Sequence, residues 1–209
     1  MPRIGGLYVI IDPAACLGRD PVMVARAALE GGASMLQWRD KQRDKGDQIA
    51  DAEAVLELCL RNDAYLIVND HADLALVLGA GLVRVPGAGS AGKARALAHI
   101  GVHVGQKDLP VDRLRRILPG GAGLGASTNN VEEARRAAAA GAGYIAVGDI
   151  FGTGSKQGTR AASIDLLTEI KRAVSKPVIG IGGINAANAA SVVRAGADGV
   201  AVISAVCGA

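Results

Sequence analysis

Two cations and an amide alternate along Gln37-Trp38-Arg39-Asp40-Lys41. Two later stretches, Asn69-Asp70 and GVHVGQKD from Gly101 to Asp108, each end in a carboxylate. Alternate residues of a strand share a face, so Gln37, Arg39 and Lys41 point the same way. Cations beside paired carboxylates at one mouth describe a site for a magnesium-bound diphosphate. Asp70 and Asp108 would give Mg2+ hard oxygen ligands, and Arg39 and Lys41 would face phosphate oxygens. Two other readings stay open. The carboxylates could be surface caps or pair with Lys41 or Lys107, and the cations could sit in a buried ion pair with Asp12 or Asp70. Three inward polar side chains cost free energy unless they meet a ligand or one another.

Further strand ends carry polar groups. GIGGI, from Gly180 to Ile184, precedes a helix that starts near Asn188, and the next strand ends at Ile203-Ser204. Glycines there let backbone N–H groups approach an anion, and a helix N-terminus adds positive potential. The alternative is a tight turn with no ligand. GTGSK, from Gly152 to Lys156, offers the Thr153 and Ser155 hydroxyls and a lysine in a strand-end loop, which suits a diphosphate clamp but also suits any polar loop. Ser127 and Thr128 end another strand. His103 lies inside a strand and reads as structural, and Trp38 faces the helices as core.

Positioning these groups takes a regular scaffold. Strands are expected at Leu7–Asp12, Met35–Asp40, Tyr65–Asp70, Gly101–Gln106, Gly123–Thr128, Tyr144–Ile150, Pro177–Gly183 and Gly199–Val206. Most are short apolar runs without strict alternation, as for strands buried on both faces. Helical stretches fall between them: Pro21–Glu30 behind an Asp20 cap, a face of Ile49, Ala52, Val55, Leu56 and Cys59, then Asn130–Ala140 and Ile164–Val174. Glycines follow the helices, as in Gly31-Gly32, Gly141 and Gly196. Parallel strands joined by right-handed crossovers, with no run reading as an edge, predict a closed (β/α)8 TIM barrel spanning 1–209 as one domain. Two departures are expected. Leu82–Ile100 is an extra βα-like piece, placed outside the barrel wall so that the fourth strand still delivers Asp108. No eighth helix follows the last strand, so either the chain is truncated or something else closes that side.

The bulk numbers agree. In 209 residues, 50 % are apolar and 2 % aromatic, so the core is Ala, Val, Ile and Leu, as in an α/β protein. A net charge of +3 without a dense basic block argues against nucleic acid. Cys16, Cys59 and Cys207 show no metal spacing and read as free thiols in a reducing cytosol. No segment is long enough to span a bilayer and no signal-peptide pattern is present, so the expected location is cytoplasmic. A homo-oligomer is left open.

Together the motifs resemble the thiamine-phosphate synthase family of barrel enzymes, over about Leu7 to Val206. The family's QxRxK is present as Gln37, Arg39 and Lys41, its ND as Asn69-Asp70, and its GVHxGQxD is complete from Gly101 to Asp108. Its GxS appears at Gly125–Ser127, and its GIGGI and GVxVxS are intact. Four features depart: PTxTK is altered to Gly152–Lys156, Asn129 stands where many relatives carry His, Leu82–Ile100 is inserted, and the family's last helix is absent. The resemblance implies a transferase that joins a hydroxymethylpyrimidine diphosphate to a thiazole phosphate and releases pyrophosphate. It implies Mg2+ on Asp70 and Asp108, and diphosphate oxygens on Arg39, Lys41, Ser127 and Lys156 with Asn69, Thr153 and Ser155 nearby. Gln37 would orient the pyrimidine, and Gly182, Gly183, Ile203 and Ser204 would seat the thiazole phosphate. The rivals are a related thiazole tautomerase, expected to use His at position 129, and a non-catalytic phospho-ligand binding barrel.

Overall fold

A computed structural model describes residues 2–82, 94, 97–119, 121–152 and 161–209. Eight parallel strands close into a barrel in chain order. They are β1 (Gly6–Ile11), β2 (Met35–Trp38), β3 (Tyr65–Asn69), β4 (Ile100–Val104), β5 (Gly123–Thr128), β6 (Tyr144–Val147), β7 (Val178–Ile181) and β8 (Gly199–Val202). The register runs Tyr8 to Met35, Met35 to Tyr65, and round to Gly6 beside Gly199. Every expected strand is present, but several end earlier than their polar tails suggest. Pairing of β2 stops at Trp38, so Arg39 and Lys41 lie in the chain just beyond the wall.

The helices are α1 (Pro21–Glu30), α2 (Lys45–Arg61), α3 (Ala72–Leu82), α4 (Val111–Ile117), α5 (Val131–Ala139), α6 (Ile164–Ala173), α7 (Ala189–Arg194) and α8 (Ser204–Cys207). Their starts follow the cap residues. The side chains of Asp20, Asn130 and Ser163 accept from Val22 N, Glu133 N and Leu166 N and satisfy otherwise unpaired first-turn donors. The predicted face of α2 buries Ala52, Val55, Leu56 and Cys59, with Ile49 packed at its edge. Gly32, Gly141 and Gly196 follow α1, α5 and α7 with φ of 92°, 99° and 102°, the positive-φ stop that a side chain resists.

β4 pairs with β3 through Leu66–Ile100 and with β5 through Gly101–Gly123. All eight wall positions are therefore filled, and Ile100, the last residue of the expected insert, belongs to the wall as the first residue of β4 rather than lying outside it. Leu82 ends α3, and 83–93 and 95–96 of that piece lie outside the described residues. At the other end, β8 stops at Val202 rather than Val206, and a single helical turn stands where a full eighth helix would. Cys207 Sγ donates to Ile10 O at 3.3 Å, and the Arg19 guanidinium donates to the carbonyls of Val206 and Cys207. The turn is thereby fastened to the loop after β1. Burial pushes the Cys16 thiol up to about 12, with the neighbouring Cys207 adding to it, so this pocket holds thiols rather than thiolates.

Both faces of the wall are buried, as the unalternating runs predict. The outer face packs Val9, Leu36, Trp38, Leu66, Val102 and Ile145 against the helices. Trp38 donates its Nε1–H to Gln48 on α2 at 3.1 Å. The inner face is a smaller cluster of Tyr8, Ile10, Met35, Tyr65, Ile67, Tyr144, Ile179 and Ala201. On β4 and β5 the inward positions Gly101, Gly123 and Gly125 leave that side of the lumen to side chains from across it. A Cβ on Gly125 would enter the Tyr144 ring, and one on Gly101 would meet the Gly123 carbonyl. Gly125→Ala is accordingly expected to destabilise the protein by about 1–3 kcal/mol through overpacking. A lower urea midpoint at unchanged m would show it.

Candidate active site at the carboxyl ends of the strands

Residues at the carboxyl ends of β1 to β8 enclose a cavity of about 460 Å3. That is within the usual range for a small-molecule site, on the face where barrels of this kind carry their chemistry. Gln37, Arg39, Lys41, Asn69, Asp70, Asp108, Ser127, Gly182, Gly183, Ile203 and Ser204 all line it. Thr153, Ser155 and Lys156 lie outside the described residues.

Arg39 is buried, and its guanidinium binds the carboxylate of Asp12 at the end of β1. This is one of the alternatives that the sequence leaves open, realised with Arg39 still on the cavity wall. A guanidinium has five N–H donors, and the ion pair engages it through NH1. Asp12 also accepts from Ala14 N at 3.1 Å, which anchors the turn from Pro13 to Cys16.

Lys41 is about half exposed, and its Nζ lies 4.0 Å from Asp70 Oδ2, the outer limit of an ion pair. Asp40 fixes the backbone on either side of Lys41. Asp40 accepts from the backbone N–H groups of Gln42 and Arg43 and from Arg43 Nε at 2.6 Å. Burial alone would raise the Asp40 carboxyl, but these bonds outweigh it and hold it below the ordinary value. Arg43 in turn lies over the Trp38 ring at 5.8 Å.

Asp70 adopts φ 61°, a left-handed conformation that an aspartate tolerates at some cost. Its N–H donates to His103 O at 2.8 Å and its Oδ2 accepts from Asn69 Nδ2 at 2.7 Å. Asp108 folds back on its own loop, where Oδ2 accepts from Gly105 N at 2.7 Å. Both carboxylates thus reach one cavity from neighbouring strands. Among the described residues no group of three or more His, Cys, Asp or Glu gathers as a metal cage. Two carboxylates suit a hard cation such as Mg2+, which binds few protein oxygens and keeps water.

In a ring of eight strands, β3 and β4 stand across from β7 and β8. There Gly182 and Gly183 take φ of 104° and 62°. A Cβ on Gly182 would meet Asp149, and one on Gly183 would meet Phe151 and the Gly152 carbonyl. Asn188 Nδ2 donates to Gly183 O at 3.0 Å and fixes the turn. The helix that follows, α7, has six residues.

Sequence reasoning passes over the floor of the cavity. Gln37 Nε2 donates to Tyr8 OH at 2.6 Å, Tyr8 OH lies 3.1 Å from Tyr144 OH, and Tyr144 OH lies 3.1 Å from His103 Nδ1. His103 Nε2 lies 2.8 Å from Ser127 Oγ. The His103 ring stacks on Tyr144 with centroids 5.6 Å apart, and Tyr144 meets Tyr8 edge-on at 6.1 Å. Burial pushes both phenols well above their ordinary value, so both stay neutral. Strand parity turns Tyr8, His103 and Tyr144 inward, and His103 also stands in the GVHxGQxD stretch. Asn129 also lines the cavity and donates from Nδ2 to Gly148 O at 2.7 Å.

Fold and site together define a closed (β/α)8 barrel whose mouth gathers anionic and cationic side chains in one cavity. The family described as thiamine monophosphate synthase matches residues 7–206, and the chain belongs to that family. It is 48 % identical over 206 residues to the thiamine-phosphate synthase of Roseiflexus castenholzii, covering 98 % of this chain and 82 % of that protein. It is 44 % identical to that of Methanoculleus marisnigri, covering 97 % and 87 %. Among solved structures, the thiamine phosphate pyrophosphorylase of Pyrococcus furiosus superposes with a TM-score of 0.80 at 34 % identity, covering 98 % of this chain and 88 % of that one. An N-acetylmannosamine-6-phosphate 2-epimerase from Clostridium perfringens, at 16 % identity and a TM-score of 0.59, shares the fold alone.

Proposed function

We propose that the protein is a thiamine-phosphate synthase, a transferase that moves a hydroxymethylpyrimidine group from its diphosphate to a thiazole phosphate with release of pyrophosphate. The observation that carries this reading is the opposition of two polar arcs across one cavity. Arg39, Lys41, Asn69, Asp70, Asp108 and Ser127 lie on the β2–β5 side and the Gly182–Gly183 turn with Ser204 on the β7–β8 side. A single phosphorylated ligand would need only one of them.

Asp70 and Asp108 would hold Mg2+, which would neutralise charge on the diphosphate. Arg39, paired with Asp12, would offer its remaining N–H donors to diphosphate oxygens, alongside Lys41, Asn69 and Ser127; the family resemblance adds Thr153, Ser155 and Lys156 to that set. Gln37 reaches the pyrimidine from the floor. As the methylene carbon–oxygen bond breaks, its electron pair leaves with pyrophosphate and the thiazole nitrogen donates its lone pair to the methylene cation. Negative charge grows on the leaving group, so donors fixed before the reaction lower the barrier and no general base is needed. Gly182, Gly183, Ile203 and Ser204 seat the thiazole phosphate. Among the described residues no helix is long and apolar enough to cross a membrane.

Pyrophosphate release by the purified chain tests this directly. With both substrates and Mg2+ the expected result is stoichiometric pyrophosphate and thiamine phosphate. With EDTA in place of Mg2+ the release should fall to background. Isomerisation of a thiazole without pyrophosphate would assign a tautomerase, and phosphate-ligand binding without either reaction would assign a binding protein.

A further inference from the structure

The floor of the cavity holds a chain of hydrogen bonds whose direction can be worked out. Tyr8 and Tyr144 are 1 % and 0 % exposed, so each phenol must place its single proton on a protein acceptor or leave a buried donor unmade. Tyr8 OH accepts from Gln37 Nε2 and has one other partner, the Tyr144 oxygen. Tyr8 therefore donates to Tyr144. Tyr144 then has one place for its own proton, His103 Nδ1. A nitrogen that accepts is unprotonated, so the neutral imidazole carries its hydrogen on Nε2 and donates it to Ser127 Oγ. Ser127 receives a hydrogen bond from below and keeps its hydroxyl proton for the cavity.

We propose that Tyr144 is a positioning residue, which fixes the Nε2–H tautomer of His103 and thereby makes the Ser127 hydroxyl a donor into the cavity. The opposite arrangement, with Nδ1 protonated, would have Nε2 draw the Ser127 proton downward and present only lone pairs to an anion. A leaving diphosphate gains negative charge as its bond breaks, so a donor at Ser127 stabilises it and an acceptor repels it. The glycine at position 125 serves the same end, because only an inward face without a side chain admits the Tyr144 ring beneath Ser127. This inference rests on the proposed leaving-group role of Ser127, but the tautomer it requires does not.

The test has two arms. In 15N-histidine NMR of the wild-type protein at about pH 8, where an ordinary imidazole is neutral, His103 should show a pyridine-like Nδ1 and a pyrrole-like Nε2. The reverse assignment overturns the inference whatever the activity. In the kinetic arm, Tyr144→Phe keeps the ring and removes the donor. Its kcat for pyrophosphate release should fall about tenfold, as for one lost buried hydrogen bond, with the KM for thiazole phosphate unchanged. In a Ser127→Ala background the same substitution should cost nothing further, since Tyr144 acts through Ser127. Equal losses in both backgrounds would reduce Tyr144 to a structural role. Should Tyr144→Phe fail to fold, the wild-type tautomer decides alone. Absence of pyrophosphate release from the wild type would refute the synthase reading and leave the tautomer measurement intact.

Discussion

Asp70→Asn and Asp108→Asn should each lower pyrophosphate release by at least about a hundredfold at saturating Mg2+, a barrier increase of roughly 2.7 kcal/mol. Each substitution removes a negative charge from the proposed Mg2+ site while preserving size and much of the local hydrogen bonding. Asparagine can still accept from Asn69 Nδ2 at position 70 or from Gly105 N at position 108. It also suits the left-handed backbone at position 70 as well as aspartate does. Thermal unfolding should therefore shift little while turnover collapses, and raising Mg2+ should recover part of the loss if affinity is what has fallen. Wild-type turnover in both variants would remove the metal from these two residues.

Asp12→Ala should produce the largest loss of stability, about 3–5 kcal/mol, because it leaves the Arg39 guanidinium buried without its anion. About 1 kcal/mol more belongs to the turn from Pro13 to Cys16, whose Ala14 N–H loses its acceptor. The double variant Asp12→Ala, Arg39→Met should recover most of that stability, since no charge is then stranded. It should not recover activity, since the proposed diphosphate contact is gone with the guanidinium. Urea titrations of the three proteins separate these outcomes. A double variant no more stable than the single one would mean that Asp12 contributes through the turn rather than through Arg39.

The barrel was legible because its strands are buried on both faces. Runs such as Leu7–Ile11 and Leu66–Val68 are apolar without alternation, and capping residues such as Asp20 and Ser163 mark where the helices between them begin. Strand ends were less legible. Asp40, Gly183 and Val206 continue the pattern of their runs, but inter-strand pairing stops before them and the chain turns into loops after β2 and β7 and into a helical turn after β8. The cavity-lining set was readable wherever a polar residue followed an apolar run. The choice between a ligand and an ion pair for Arg39 was not, because it depends on where the β1 and β2 ends meet in space. The role of His103 was hidden for a similar reason. Gly125 stands opposite Tyr144 only once β5 and β6 are in register, and without that pairing a histidine inside a strand looks like ordinary core.

The chain's tyrosines and tryptophan are sorted by compartment. All three tyrosines, Tyr8, Tyr65 and Tyr144, lie in the lumen, whereas the single tryptophan, Trp38, lies between the wall and α2. The protein therefore carries two separate optical probes. Ultraviolet difference absorption from the phenols should respond when a pyrimidine stacks or hydrogen-bonds on the cavity floor. Indole fluorescence should stay nearly constant through that event and change only when helices detach from the barrel. Occupancy and unfolding can thus be followed in one unlabelled sample, each by its own chromophore.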